Sequence, residues 1–246
     1  MFRRMNKQVR RTREWVFGAL LSLLGKKPYD EIKIATIAEE AGVARQSFYR
    51  NYANKDDIVC QYFITLLDSY TDKINEHYGS IPLDSVEEYV SPKFARDVFR
   101  MFYELLFENR EDIMKLKNAS LSHMFDMAVR EYINDLRRSI IGVSPDKLYL
   151  LAYQFGGVSS ITVEWIEREM SDTPEQMGQM LEETLRGADG GYPLIDSVLM
   201  MIRLNEEAER SRSDSGEEED GEASGGRGRK GKRKKSKWKL AESSGV

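Results

Sequence analysis

Six residues within one heptapeptide, Arg45, Gln46, Ser47, Tyr49, Arg50 and Asn51, carry the densest set of polar recognition groups in the chain. Arginine can fork onto the edge of guanine and glutamine or asparagine onto adenine, while serine and tyrosine hydroxyls suit phosphate oxygens. That is chemistry for reading or holding a polyanion. Groups for making and breaking bonds are scarce. The chain has one cysteine, Cys60, and two histidines, His77 and His123, far apart in sequence. A disulfide framework, a Cys-rich zinc site and a His-dependent triad therefore lack material, and no acid, base and nucleophile constellation stands out. We expect no enzyme activity, no metal and no cofactor.

Charge is distributed to match. The net charge of −4 over 246 residues hides a balance of +5 in residues 1–57, −12 in 58–210 and +3 in 211–246. A polyanion responds to local potential rather than to the total, so the basic head is the candidate contact region. No apolar run approaches the roughly 20 residues that a membrane helix needs. The basic residues before Trp15 imitate the start of a secretory leader. However, Lys26, Lys27, Pro28 and Tyr29 stand where a cleavage site needs small residues, so the segment reads as part of the fold.

Three short helices must position the polar heptapeptide. Trp15, Val16, Ala19, Leu20, Leu23 and Leu24 lie at helical spacing over Val9 to Leu24, with Gly25 as the stop and Pro28-Tyr29 as a turn. Ile34, Ile37, Ala38 and Ala41 share one face of a second helix, and Gly42 follows where a tight turn needs a positive φ. A third helix begins at Ala44. Two short helices joined by a Gly-containing turn form the helix-turn-helix pattern, whose second helix enters the major groove. The residues alone also fit an exposed polar helix in another all-α protein.

The stretch Lys27-Pro28-Tyr29-Asp30-Glu31-Ile32-Lys33-Ile34, followed by Ile37 to Ile58 with Ala41-Gly42-Val43, Ser47-Phe48-Tyr49, Tyr52 and Asn54-Lys55-Asp56, resembles the DNA-binding domain of TetR-family transcriptional regulators. The resemblance implies groove-facing Arg45, Gln46, Ser47, Arg50 and Asn51. It implies phosphate contacts from Tyr49 and Lys55, with Thr36 in reach of a phosphate, and core positions for Val43 and Phe48. The family often has His at the place of Asn51 and Phe at that of Tyr52.

Residues 58–210 read as a larger helical domain, because every long apolar pattern has a period near 3.6. Ile58, Tyr62, Leu66, Tyr70 and Ile74 form one stripe, and Phe94, Val98, Met101, Phe102 and Leu105 a second. Leu121, Phe125, Ala128, Tyr132, Leu136 and Ile140 form a third, ended at Gly142. Ser144-Pro145-Asp146 and Thr173-Pro174-Glu175-Gln176 are helix starts, the latter with a capping-box glutamine. Tyr149, Tyr153-Gln154-Phe155-Gly156-Gly157, Trp165-Ile166, Pro174 to Met177 and Leu181 resemble the C-terminal domain of one TetR-family subgroup. That resemblance implies a homodimer formed by helices Asp146–Met170 and Pro174–Arg186, with Phe155, Gly156, Gly157, Trp165, Met177 and Leu181 at the interface. It also implies a small-molecule effector pocket.

Pocket candidates are Phe99, Tyr103, Phe107, His123 and Phe125, with Met101, Met114, Met124, Met127 and Tyr132 nearby in the pattern. Methionine and aromatic side chains suit an adaptable apolar site, and they equally suit a plain core. A further helix, Leu194 to Glu209, follows the linker from Gly187 to Pro193. The last 36 residues run from acidic Glu217–Asp220 to basic Arg229–Lys235 and carry too little apolar surface for a core. This tail reads as disordered, either as a solubilising segment or as a sequence-independent attraction to phosphates.

The sequence thus predicts an all-α chain. An N-terminal three-helix helix-turn-helix domain spans 1–57, a helical effector-binding and dimerisation domain 58–210, and a tail 211–246. The expected function is that of a cytoplasmic, dimeric regulator, in the repressor sense, that binds a double-stranded, pseudo-palindromic DNA operator. The alternative is a non-specific or architectural nucleic-acid binder driven by the tail.

Overall fold

The computed structural model describes residues 7–78, 91–139 and 145–187. The described residues all fall within one compact unit. The expected helix Leu194 to Glu209, the tail, the loop at Gly79 and Pro82, the stop at Gly142 and the cap at Ser144 lie outside the described residues.

Among the described residues the regular elements are helices and one short 3-10 turn. They run α1 (Lys7–Leu24), the 3-10 turn (Tyr29–Glu31), α2 (Ile34–Glu40), α3 (Arg45–Asn51), α4 (Lys55–Tyr78), α5 (Pro92–Glu108), α6 (Arg110–Asn118), α7 (Met124–Ser139), α8 (Pro145–Glu167) and α9 (Pro174–Leu185). The N-terminal helix-turn-helix domain is therefore α1 to α3, and a helical C-terminal domain follows it. Helix α4 starts at Lys55 and runs unbroken past the boundary expected at residue 57. It belongs to both domains.

The helix ends have local causes. Thr173 and Gln176 form the reciprocal capping box expected for α9, and the Ser91 hydroxyl accepts the Phe94 N–H at the start of α5. Asn54 caps α4 by accepting the Asp57 N–H at 2.9 Å, while the Asp57 carboxylate accepts the Ala53 N–H at 2.9 Å. The break at Asn109 that separates α6 from α5 has no proline or glycine to announce it. Its side-chain N–H₂ donates to the Leu105 carbonyl at 2.8 Å, so the residue bonds back along the helix it ends.

Three helices end on the same device, with a positive-φ residue followed by a bond from the next N–H back to a carbonyl five residues earlier. After α2 the positive-φ residue is Gly42, and Val43 N–H reaches the Ala38 carbonyl at 2.9 Å. After α6 it is Ser120, with Leu121 N–H on the Leu116 carbonyl, and after α8 it is Glu169, with Met170 N–H on the Trp165 carbonyl. Only the first could be read from a glycine.

A continuous core joins the two domains, from Val16 and Leu20 of α1 through Phe63 of α4 to Leu181 of α9. Its middle is aromatic: Phe63 meets Phe125 edge-on at 5.3 Å, Tyr70 meets Phe102 at 5.3 Å, and Tyr103 meets Trp165 at 5.0 Å. Burial of each such ring contributes about 1.5–3 kcal/mol, and the edge-on geometry adds about 0.5–1.5 kcal/mol per pair. Helix α9 lies along α5. The Glu182 carboxylate, 1% exposed, is bracketed there by Arg96 at 3.1 Å and by Arg186.

Gly178 permits that close approach. A Cβ at this position would stand 3.0 Å from Arg100 Cβ, Arg100 N and the Arg96 carbonyl oxygen, two of which are backbone atoms that cannot swing away. We therefore expect Gly178→Ala to destabilise the fold by about 1–3 kcal/mol, although alanine is the better helix former. Thermal unfolding followed by circular dichroism checks it, and an unchanged or higher Tm would refute the tight contact.

Candidate nucleic-acid interface

Helix α3 has two faces of opposite character. Phe48 is fully buried and packs against Tyr52, with ring centroids 5.4 Å apart, alongside buried Ile37 and Ala38 of α2. The other side presents Arg45, Gln46 and Arg50 to solvent, with the Tyr49 ring 53% exposed. Ser47 and, on α2, Thr36 are half-buried at the edges of this face. Val43 is partly buried against the core.

Two of the expected DNA contacts are occupied inside the chain. The Asn51 amide donates to the Ser47 carbonyl at 2.8 Å. The Lys55 ammonium donates to the carbonyls of Tyr29, at 2.6 Å, and Ile32, at 3.2 Å, and sits 3.9 Å over the Tyr29 ring. Tyr29 in turn donates its hydroxyl to Asp56 at 2.6 Å, and burial together with that carboxylate pushes the phenol well above its ordinary range. Lys55 thus fastens the turn after α1 to the first turn of α4. The sequence shows the residues of this clasp but not their meeting, because they lie more than twenty positions apart.

The head is tied down at two other points. Glu40 at the end of α2 accepts from Ser22, at 2.9 Å, and from Lys26, at 3.2 Å, which together hold its carboxyl below the usual range. Arg13 of α1 donates to the Gln61 side chain of α4 at 2.7 Å. The interface is thus a rigid three-helix wedge with one polar, cation-bearing face.

Two family models match the chain. The model described as bacterial regulatory proteins, tetR family, covers residues 18–61, from the middle of α1 into α4. The model described as transcriptional regulator C-terminal region covers 96–187, from α5 past α9. Together they span more than half of the chain. The protein belongs to the TetR family. It is a DNA-binding transcription regulator, built as a TetR-type head followed by a helical C-terminal domain.

Two solved structures are similar to it at low identity. The dihydroxyacetone kinase operon activator DhaS shares 17% identity over 78% of this chain and 97% of its own, with a TM-score of 0.35. The fatty acid degradation regulator FadR from Bacillus halodurans shares 15% over 76% and 98%, with a TM-score of 0.44. No curated protein matches the chain.

Within the TetR C-terminal domain the expected effector-pocket residues are dispersed. Phe99, Tyr103 and Phe125 are buried in the core, with the Tyr103 hydroxyl bonded to Thr162 at 3.2 Å. Phe107 is 42% exposed beneath Arg110, and exposed His123 bonds the Ser120 carbonyl at 3.1 Å. Two clefts, of about 870 and 820 Å³, open where the head meets the body. Of the expected residues, His123 and its neighbour Met124 line the first. The periodicity that marked the others as apolar could not separate a cavity wall from a core.

The dimer candidates also divide. Trp165, Met177 and Leu181 are at most 5% exposed, and the Trp165 indole donates to the Asp172 carbonyl at 2.9 Å. Their own chain consumes them. Phe155 packs partly against the core, whereas Gly156 and Gly157 have open space where a side chain would be. Tyr149 and Tyr153 share that open face of α8, 76% and 77% exposed. Their i, i+4, i+7 spacing with Gly156 was the available signal.

No helix among the described residues is long and apolar enough to cross a membrane, and these residues hold no cluster of three His, Cys, Asp or Glu able to bind a metal ion.

The clasp gives Lys55 a test that separates architecture from phosphate contact. Lys55→Met should lower stability by about 1–3 kcal/mol, because it removes charge-assisted bonds to two carbonyls. The slope of log Kd against log salt on DNA should stay unchanged. A slope reduced by about 1 would place this ammonium on a phosphate instead.

Proposed function

We propose that the protein acts in the cytoplasm as a homodimeric repressor of the TetR type. Each α3 lies in the major groove of one half of a pseudo-palindromic operator, and a small molecule alters operator affinity. The observation that carries this reading is the division of α3, with Phe48 buried on one side and Arg45, Gln46, Tyr49 and Arg50 exposed on the other. A helix shaped only by packing has no use for that density of forked donors on one face. Arg45, Gln46, Ser47 and Arg50 are assigned to base edges, and Thr36 and Tyr49 to phosphates.

Fluorescence anisotropy on the DNA upstream of the gene and on shuffled DNA of equal length, at about 150 mM salt, tests the assignment. We expect a preference of about a thousandfold or more. Arg45→Ala or Gln46→Ala should each reduce discrimination at one position of a half-site by about 1–3 kcal/mol. Weaker binding with unchanged preference would move that side chain to a phosphate. Retention of preference after truncation at Arg210 excludes the tail-driven, non-specific reading, while loss of all binding would favour it.

The second subunit is assigned to the open face of α8. Tyr149 and Tyr153 supply amphipathic area, and Gly156 and Gly157 let a partner helix come close. Tyr153→Glu should place a charge in that contact and shift the sedimentation coefficient toward the monomer without lowering helical content. A variant that stays dimeric would put the interface elsewhere.

A further inference from the structure

The two clefts share Leu21, Gly25 and Lys115, so they adjoin along the line where α1 passes α6. The one on the α4 side is a trough of about 820 Å³, within the range that holds a small molecule. One wall is α1, which belongs to the head, and the others are α4 and α6. On its lining Phe17 and Tyr62 stack face to face, with centroids 4.0 Å apart and planes 11° from parallel.

Three observations point to a ligand. First, the Tyr62 hydroxyl and the Arg13 Nε–H are both buried, and neither has a hydrogen-bond partner among the described residues. Buried donors in native proteins are satisfied almost without exception, so each orphan requires an explanation. Second, the charges around the trough leave a cation over. Lys115 pairs with Glu111 and Asp112, and Arg10 with Glu14, whereas among the described residues Arg13 forms no ion pair and gives its Nη1 to neutral Gln61. Third, Gly18 stands in the middle of α1, where a glycine weakens the helix. A Cβ there would meet nothing within 4 Å, so packing does not demand the glycine, but any side chain would project into the trough.

We propose that this trough is a small-molecule site, distinct from the interior of the C-terminal domain, and that it takes a planar aromatic carboxylate. The ring lies against the Phe17–Tyr62 pair beside Gly18, and the carboxylate accepts from Arg13 Nε and the Tyr62 hydroxyl. Such a ligand also reaches the recognition helix by a short route. Tyr52 borders the same trough, donates its hydroxyl to the Arg13 carbonyl at 3.4 Å and packs on Phe48 of α3. This regulatory consequence rests on the DNA-binding reading above, whereas the site itself does not.

Calorimetric titration of the full chain with 2-naphthoate tests the site in the absence of DNA, with 2-naphthalenemethanol as the uncharged probe. We expect saturable binding of 2-naphthoate, at least tenfold tighter than the alcohol. Gly18→Leu fills the space and should weaken binding tenfold or more. Tyr62→Phe keeps the ring stack, removes an unsatisfied hydroxyl and should fold at least as well, yet bind 2-naphthoate several-fold more weakly. No saturable heat with the wild type, or equal affinity in wild type and Tyr62→Phe, overturns the site whatever Gly18→Leu does. Operator anisotropy with and without 2-naphthoate then tests the coupling. A shift in operator affinity that Gly18→Leu abolishes supports it, and binding with no shift overturns it. If the wild type shows no operator preference at all, the DNA reading fails while the calorimetry still decides the site.

Discussion

A helix of seven residues does not persist in water, because the cost of nucleation is spread over too few hydrogen bonds. Helix α3 is that short, and it still has to hold Arg45, Gln46, Tyr49 and Arg50 on one exposed face. Burial of Phe48 solves the problem. With its ring fully enclosed and Tyr52 leaning on it, α3 cannot rotate about its axis without lifting an aromatic side chain into water. The turn at Gly42, closed by the Val43 N–H on the Ala38 carbonyl, sets α3 against the buried face of α2. The rest of the chain is needed because three short helices bury too little surface to be stable by themselves.

Helix α4 supplies the connection. Its first turn is held to the head by the Lys55 clasp and the Asn54 cap, and its middle is held to the body by Phe63 on Phe125 and by Thr71 on the Tyr132 hydroxyl at 2.7 Å. A helix anchored at its first turn and along its middle transmits orientation rather than absorbing it, since no glycine or proline interrupts Lys55–Tyr78. The helix therefore runs unbroken through residue 57, where the charge balance of the sequence changes.

The elements that were legible in the sequence are those whose signal is local. Gly42 announces its turn, Thr173 and Gln176 announce their capping box, and the family resemblance implies the buried position of Phe48. The head was readable for this reason, down to the exposed Arg45 and Gln46. What failed to show depends on contacts distant in sequence. Lys55 stands as a phosphate contact by resemblance until Tyr29 and Ile32 are folded over it. Trp165, Met177 and Leu181 stand as interface residues by the family resemblance, and only the packing of Trp165 on Tyr103 and of α9 on α5 shows that they are buried within the chain. The trough between α1 and α6 had no local signal either, because its walls come from three segments and its floor from Phe17 and Tyr62, which no periodicity pairs.

The geometry also limits how an effector could act. Any small molecule can change operator affinity only by its difference in affinity for the two head arrangements, typically 1–3 kcal/mol. That modest energy must produce a displacement that DNA can sense. Helix α4, with 24 residues, is about 36 Å long at about 1.5 Å per residue. A tilt of about 5° at one end therefore moves the other by about 3 Å, close to the roughly 3.4 Å spacing of base pairs. In a dimer both heads would shift in opposite senses, so the spacing between two recognition helices changes by twice that amount. A lever of this kind needs no rearrangement of the core. It needs only that the contact between α1 and the body be adjustable, and two clefts open along that contact.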